Sequence, residues 1–248
     1  VSDRRKSAAP KGSPGYQPRA SSSASTYVLV GVGAVVILAL VVGGILWNSS
    51  RDPERADEAV LSENAALIIG TPSAPLTIDV FEDFMCPYCR TFEQQSAPAI
   101  ATAIGNDSLR VRYHLLTFLN RQSSSGNYSS RAAGAAQCVG EAENRDVFLR
   151  FHAALFEDQP EEGGSSDHSN ADLARIAGEQ GASAATQQCI ADGARVEQAD
   201  AAAKQSQTQL SKATGGQAAT PTVLSGGEPV DGIMDGTAWL DQLLATTD

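Results

Sequence analysis

The chain has 248 residues, 42% hydrophobic and 19% charged, with 22 Gly and 11 Pro, a composition that excludes a disordered, collagen-like or low-complexity protein and admits one large or two small domains. Its formal net charge is −11, and five of the 18 basic residues but only one of the 29 acidic ones precede residue 51. So acidic a remainder excludes binding to nucleic acid and would be repelled by an anionic membrane surface, and solubility is its plain role.

Residues 1–26 are Ser, Pro, Ala and Gly with Arg4, Arg5, Lys6, Lys11 and Arg19, too poor in apolar side chains to bury a core, and read as a disordered cytoplasmic tail. Tyr27 to Trp47 follows without a charge for 21 residues, enough at a rise of ~1.5 Å per residue to cross a hydrocarbon layer of ~30 Å. An aromatic stands at each end, and the basic flank precedes the span, so the segment is expected to be a transmembrane helix with the C-terminal part outside the cell. The competing reading is a cleaved signal peptide, whose apolar core is usually shorter and ends at small residues, whereas Asn48-Ser49-Ser50 comes after Trp47. Residues 48–70, charged and Ala-rich with some helical character over 57–67, read as a linker that spaces the domain over 71–248 from the membrane.

That domain opens with the turn chemistry of Thr71-Pro72-Ser73-Ala74-Pro75. Leu76 to Phe84 is β-branched and aromatic enough for a strand, and the stretch after Cys86-Pro87-Tyr88-Cys89 is free of helix breakers until Pro98. After a turn at Gly105-Asn106-Asp107, Leu109 to Leu116 alternates as a second strand. Helix between strands predicts a right-handed βαβ unit with parallel neighbours. A helical insertion is expected over about 126–211, in segments near 129–143, 145–156, 171–180, 183–191 and 194–210, with Asn170 as an N-cap and Gly181 as a stop. Thr220 to Leu224, the turn Ser225-Gly226-Gly227 and Pro229 to Gly232 read as a hairpin, closed by a helix around 237–244.

Two cysteines separated by two residues at a strand-to-helix junction are the minimal apparatus of reversible disulfide chemistry. Unpaired N–H groups and the helix dipole favour a thiolate at Cys86, and Pro87 fits the first turn because its missing N–H has no partner there. A zinc site is the competing reading, but zinc wants four ligands, and Cys138, Cys189, His114, His152 and His168 show no second CxxC, CxxH or HxxxH spacing. Cys138 and Cys189 fall in the helical region. An even number of cysteines in an exported domain suggests a second pair, and a bridge between these two would be worth roughly 4 kcal/mol on the chain-entropy account, against the alternative of two buried thiols. No Gly-rich phosphate loop, Ser-His-Asp order or HExxH is present, and no cofactor or metal is expected. His152, on the segment 145–156, reads as a packing or surface residue.

Over roughly Leu76 to Leu244 the chain resembles the thioredoxin-fold disulfide oxidoreductases of the DsbA type, in the membrane-anchored bacterial form. The resemblance rests on Phe84-Met85-Cys86-Pro87-Tyr88-Cys89, the helical insertion, Phe151-His152-Ala153-Ala154-Leu155-Phe156, and Thr220-Pro221-Thr222 before a Gly-rich hairpin. It implies an α/β thioredoxin fold with a helical insertion, preceded here by one transmembrane helix. It also implies that Cys86 is the nucleophile, Cys89 the resolving cysteine, and Pro221 a cis-proline beside them. Thr220 would offer backbone groups to an extended substrate, a mode that reads main chain more than side chains; a surface turn is the plain alternative for Thr220-Pro221.

Two departures stand out. Tyr88 occupies the place of a histidine in the best-known member and cannot carry a positive charge, which points to a milder oxidant. Val80 replaces the acid that many of these folds bury six positions before the first cysteine. Glu82 or Asp83 then stands as a candidate for proton transfer from Cys89, or as a solvated charge at a strand end. The expected function is an extracytoplasmic oxidase that introduces disulfides into reduced exported proteins and is reoxidised by an integral-membrane, quinone-linked partner. An isomerase or reductase of the same fold, and a non-catalytic chaperone or docking module, are the rivals.

Overall fold

The computed structural model describes residues 53–246, so the tail over 1–26 and the span Tyr27 to Trp47 lie outside the described residues. No helix among the described residues is long and apolar enough to cross a membrane. In chain order the elements are α1 (Glu58–Asn64), β1 (Leu67–Ile69), β2 (Leu76–Glu82), α2 (Pro87–Gly105), β3 (Leu109–Leu115), a 3-10 turn (Phe118–Gln122), α3 (Tyr128–Ala142), α4 (Arg145–Glu157), α5 (Asn170–Glu179), α6 (Ala184–Ala191), α7 (Val196–Ala213), β4 (Thr222–Ser225), β5 (Glu228–Pro229) and α8 (Ala238–Ala245). The strands form one mixed sheet in the order β1-β3-β2-β4-β5.

Strand β2 is central. It runs parallel to β3, with Leu76 opposite Leu109 and Val80 opposite Tyr113, and antiparallel to β4, with Val80 opposite Val223. The parallel pair with α2 between is the expected βαβ unit. Side chains alternate across the pleat. Ile78 and Val80 join Val111, Tyr113 and Leu115 in the main core with Phe92, Phe148, Phe151 and Phe156, while Phe81 faces a smaller cluster with Leu61, Leu210 and Leu224.

On that second face the sheet buries charge, which the alternation of β3 does not reveal. Arg112, opposite Asp79 in the register, donates from Nε (2.7 Å) and NH2 (2.5 Å) to the two Asp79 oxygens. Its NH2 also reaches Glu58 Oε2 of α1 at 2.5 Å. His114 Nε2 lies 2.7 Å from Asp79 Oδ1 and its Nδ1 2.9 Å from Ser206 Oγ of α7. Burial, the largest influence, pulls the His114 pKa below its ordinary value against the pull of Asp79. A neutral ring can donate from one nitrogen and accept at the other, which fits these two partners. Phe81 stacks on it with centroids 4.5 Å apart.

Three sequence expectations change. The linker over 48–70 is in large part folded structure. Glu54 N donates to Lys212 O at 3.0 Å and Ala56 N to Gly227 O at 3.0 Å, α1 buries Leu61, and β1 pairs antiparallel with β3. α1 falls within the helical character read over 57–67, whereas β1, only 3 residues long, is too short for its pattern to show, and its partner β3 lies far along the chain. Gly70 then turns the chain at φ +100°, where a Cβ would sit 2.4 Å from Leu109 O. α2 runs through Pro98 to Gly105, up to the turn read at Gly105-Asn106-Asp107; the hydrogen bond that Pro98 forgoes is to Gln94, on the exposed side, where water can replace it. The N-cap of α5 is Ser169, in a reciprocal capping box with Asp172, and not Asn170. The turn of the β4–β5 hairpin is Gly226-Gly227 at φ +57° and +78°, and the second strand reaches only Pro229.

The helical segment α3–α7 covers 128–213. Cys138 of α3 and Cys189 of α6 are joined in a disulfide with Cα atoms 6.1 Å apart and 51 residues of separation.

Truncating Asp79 to Ala leaves Arg112 buried without its bidentate partner and is expected to cost about 3–5 kcal/mol. The half-exposed Glu58 partner should cost about 1 kcal/mol or less when truncated. Chemical denaturation of the two variants checks both, and equal effects would mean the pair with Asp79 is not the stabilising one.

Candidate active site

β2 stops at Glu82, and Asp83-Phe84-Met85 swings the chain to Cys86, which takes the N-cap position of α2 at φ −78° and ψ 116° with Pro87 in the first turn. The Asp83 carboxylate holds this loop by accepting from Met85 N (2.9 Å) and Leu119 N (3.1 Å). Gln159, after α4, donates from Nε2 to Phe84 O (3.0 Å) and Cys86 O (2.9 Å). The loop backbone is therefore satisfied by side chains rather than by water, which fixes the direction of the Cys86 thiol.

Cys86 and Cys89 are free thiols. Cys86 Sγ lies 3.3 Å from Thr220 O, and the Thr220–Pro221 peptide bond is cis. Pro87 and Tyr88 face outward, Tyr88 at 67% exposure, whereas Cys89 is fully buried. The structure thus brings Cys86, Cys89, Pro87, Tyr88, Thr220 and Pro221 together from regions 134 residues apart. Cys138 and Cys189 bond to each other within the helical region.

The two thiols differ sharply. Hydrogen bonding from the Cys89 thiol, opposed by burial and aided by Thr220 and the N–H groups of Cys89 and Tyr88, brings the Cys86 pKa down to about 6. Burial, the Cys86 hydrogen bond and the charge of Glu82 push Cys89 well above the ordinary thiol range. One sulfur is a thiolate at neutral pH and the other keeps its proton, so Cys86 is equipped to attack and Cys89 is not until it loses that proton.

Glu82 and Asp83, left open between proton transfer and solvated charges, are both fully buried, so the solvated reading is corrected. A carboxylate at the end of a strand can be covered when the next loop folds back over it. Burial raises Asp83 to about 6, against the Met85 N–H that stabilises its charge. Burial and the charge of Glu93 raise Glu82 to about 8, against the attraction of His152.

His152 is likewise buried and not on the surface. Its Nε2 lies 3.0 Å from Glu82 Oε2 and its Nδ1 3.3 Å from Glu93 Oε2. The rings of Phe84, Tyr113, Phe148 and Phe156 surround it at centroid distances of 4.9–5.7 Å. Burial opposes the imidazolium, but Glu93 and Glu82 outweigh it and raise the His152 pKa. The contact between Glu82 Oε2 and Nε2 is one of charge, since neither atom has an aligned hydrogen-bond partner.

These three side chains present ligand atoms within 4.8 Å of one another, close enough to consider a metal ion. The imidazole stands between the carboxylates, one at each nitrogen, so an ion on either nitrogen would have to displace an existing pair. The arrangement fits an ion-paired triad better than a ligand set.

Glu93 and His152 escaped sequence reasoning as partners. A signal existed: Glu93 lies on the buried stripe of α2 with Cys89, Phe92, Ser96 and Ile100, and His152 on that of α4 with Phe148, Leu155 and Phe156. A charged residue inside an apolar stripe needs a buried partner.

A family model described as thioredoxin matches residues 62–243. The serine/threonine-protein kinase PknE of Mycobacterium tuberculosis is 41% identical over 133 residues, 53% of this chain and 24% of that protein. The chain thus spans about a quarter of the length of that curated relative. Among solved structures, DsbA from Mycobacterium tuberculosis in its reduced form is 30% identical with a TM-score of 0.54, covering 73% of this chain and 94% of that one. The reduced disulfide bond oxidoreductase DsbG from the same organism is 29% identical with a TM-score of 0.57, covering 75% and 94%.

The Cys86 pKa gives a pH dependence with a definite sign. A group whose folded pKa is depressed, here from 9.0 to about 6, contributes stability that is full above the unfolded value and is lost as pH falls through the folded one. Between those values the unfolded chain binds one more proton. The reduced protein should therefore gain about 1.4 kcal/mol per pH unit relative to Cys86→Ser. Thiolate absorbance should titrate near pH 6 in the reduced protein and vanish in that variant. A midpoint near 9 would refute the asymmetry.

Proposed function

Because the chain belongs to the thioredoxin family, whose model spans residues 62–243, we propose that it is an extracytoplasmic protein disulfide oxidoreductase of the DsbA type. In this reading it is anchored through Tyr27 to Trp47 and introduces disulfides into reduced exported proteins. The observation that carries this reading is the unequal pair, a thiolate at the N-terminus of α2 beside Thr220 and a buried, protonated thiol one helical turn on. Stabilising the Cys86 thiolate stabilises the reduced form, and a disulfide with a stabilised reduced form is an oxidant.

The cycle follows. A substrate thiolate attacks Cys86 Sγ of the Cys86–Cys89 disulfide, the S–S electron pair leaves on Cys89, and Cys89 takes up a proton. A second substrate thiolate attacks the substrate sulfur of the mixed disulfide and expels Cys86 as its thiolate. The substrate loses two electrons, which reside on the protein dithiol. Thr220 presents its carbonyl beside Cys86, where an extended substrate segment can pair with main chain. Reoxidation is assigned to an integral-membrane, quinone-linked partner, and confining both to one membrane would raise their effective concentration.

A second reading, isomerase or reductase, is favoured by Tyr88, which brings no positive charge to the thiolate. Cys86→Ser should abolish oxidation of a reduced model substrate while leaving the fold intact; retained activity would sink the assignment of roles. The reduction potential of the pair then separates an oxidase or isomerase from a reductase. A value near or above ~−180 mV means electrons flow in from substrates, and one near ~−270 mV makes the protein a reductase.

A further inference from the structure

We propose that residues 54–57, together with Leu61 of α1, act as a strap that positions Thr220 beside Cys86 by holding the two ends of the loop that carries the Thr220–Pro221 bond. This rests on the thiol-exchange reading above, in which an extended substrate segment pairs with main chain at Thr220.

That loop has little to hold it from within. Between Ala213, where α7 ends, and Val223 of β4 no residue is buried, so no core of its own fixes the 3.3 Å between Thr220 O and Cys86 Sγ. Downstream, pairing with β2 holds β4 from Thr222 onward, opposite Phe81. The sheet gives no such hold on the upstream end, where the chain leaves α7.

The strap reaches both ends. Glu54 N donates to Lys212 O at 3.0 Å in the last turn of α7, and Ala56 N to Gly227 O at 3.0 Å in the turn of the β4–β5 hairpin. Asp57 N donates to Gln209 Oε1 at 2.9 Å, one turn further back on α7. The approach to the hairpin is backbone against backbone, for a Cβ at Gly227 would lie 2.7 Å from Ala56 O and 3.0 Å from Ala56 N. Beneath these bonds, Ala56 and Leu61 are buried with Leu210 and Ala213 from before the loop and Leu224 from after it, and Ala218 of the loop packs against the same cluster.

The strap is itself tied down. Arg112 NH2 reaches Glu58 Oε2 at 2.5 Å, and Ser206 Oγ donates to Asn64 O at 3.4 Å. It therefore works as a fixed spacer that sets how far the end of α7 stands from the hairpin. The Arg55–Glu228 pair, exposed on both sides, adds little. Residues 54–61 precede the stretch 62–243 that the thioredoxin model matches, so the strap lies outside the matched core.

The consequence for the chemistry is selective. A substrate with a main chain must meet Thr220 and Cys86 together, and misplacing one of two such groups by about 1 Å can cost ~100-fold. A small thiol needs Cys86 alone. Ala56, Asp57 and Leu61 are thus positioning residues that act through Thr220 and do not touch the reacting sulfurs.

The test follows single-turnover reduction of the oxidised full-length chain by a reduced two-cysteine peptide and by dithiothreitol, which has no main chain to pair. Ala56→Pro removes the N–H that binds Gly227 O, at a position before the Asp57 N-cap where no helical hydrogen bond is lost. It should raise the peptide concentration for half-maximal rate about tenfold and leave the maximal rate and the dithiothreitol rate within twofold. Ala56→Gly keeps the N–H and should recover most of that loss. Gln209→Ala removes the acceptor of Asp57 N and should shift the peptide concentration in the same direction; it decides alone should Ala56→Pro fail to fold. A half-maximal concentration within twofold of the unsubstituted protein in Gln209→Ala and in a folded Ala56→Pro, an equal slowing with both reductants, or an Ala56→Gly as impaired as Ala56→Pro overturns the strap. Failure of the peptide to reduce the unsubstituted protein would instead overturn the thiol-exchange reading itself, so the two failures are distinguishable.

Discussion

Everything at the centre of this protein hangs on β2, a strand hydrogen-bonded on both edges and covered on both faces. Parallel pairing with β3 and antiparallel pairing with β4 leave it no freedom to slip, because a shift by one residue would exchange Ile78 and Val80 with Asp79 and Phe81 and put each set against the wrong neighbours. Fixing that register fixes where the strand ends. The end of β2 is where Glu82 goes inward, Asp83 ties the loop, and Cys86 becomes the N-cap of α2.

The two faces of the sheet bury charge in different ways. Asp79, Arg112, His114, Ser206 and Glu58 satisfy one another with short, well-directed contacts, the condition under which buried ions are tolerated. Glu82, His152 and Glu93 are held together at 3.0 and 3.3 Å, with both oxygens of Glu82, one of Glu93 and the Nε2 of His152 left without a hydrogen-bond partner. A fully satisfied network locks a structure. An incompletely satisfied one is held by charge and leaves its members with displaced pKa values.

The chemistry at Cys86 needs no unusual residue, only placement. Backbone N–H groups at a helix start, a neighbouring thiol and Thr220 from the far end of the chain together favour the thiolate. Tyr88 stands exposed beside them, and nothing in its uncharged ring adds to that stabilisation. The asymmetry between Cys86 and Cys89 thus arises from depth: the same side chain is an anion at the helix end and a protonated thiol one turn further in.

Local pattern was enough to reveal the strand from Leu76, the helix after Cys86, the strand from Leu109, most bounds of the helical region and the Gly-Gly hairpin, since periodicity and turn residues are read within a few neighbours. The spacing Cys86-Pro87-Tyr88-Cys89 at a strand-to-helix junction pointed to thiol chemistry for the same reason. What the sequence could not supply were relations across distance. The use of α1 and β1 to complete the sheet and its second face, the Asp79–Arg112 pair, and the meeting of Glu82 with Glu93 and His152 all join residues on different elements. Burial decides whether a charge such as Glu82 is solvated or poised, and burial is a property of how elements pack. The sequence determined which groups could do chemistry; the tertiary structure decided which of them are buried beside one another, because that depends on contacts no local pattern contains.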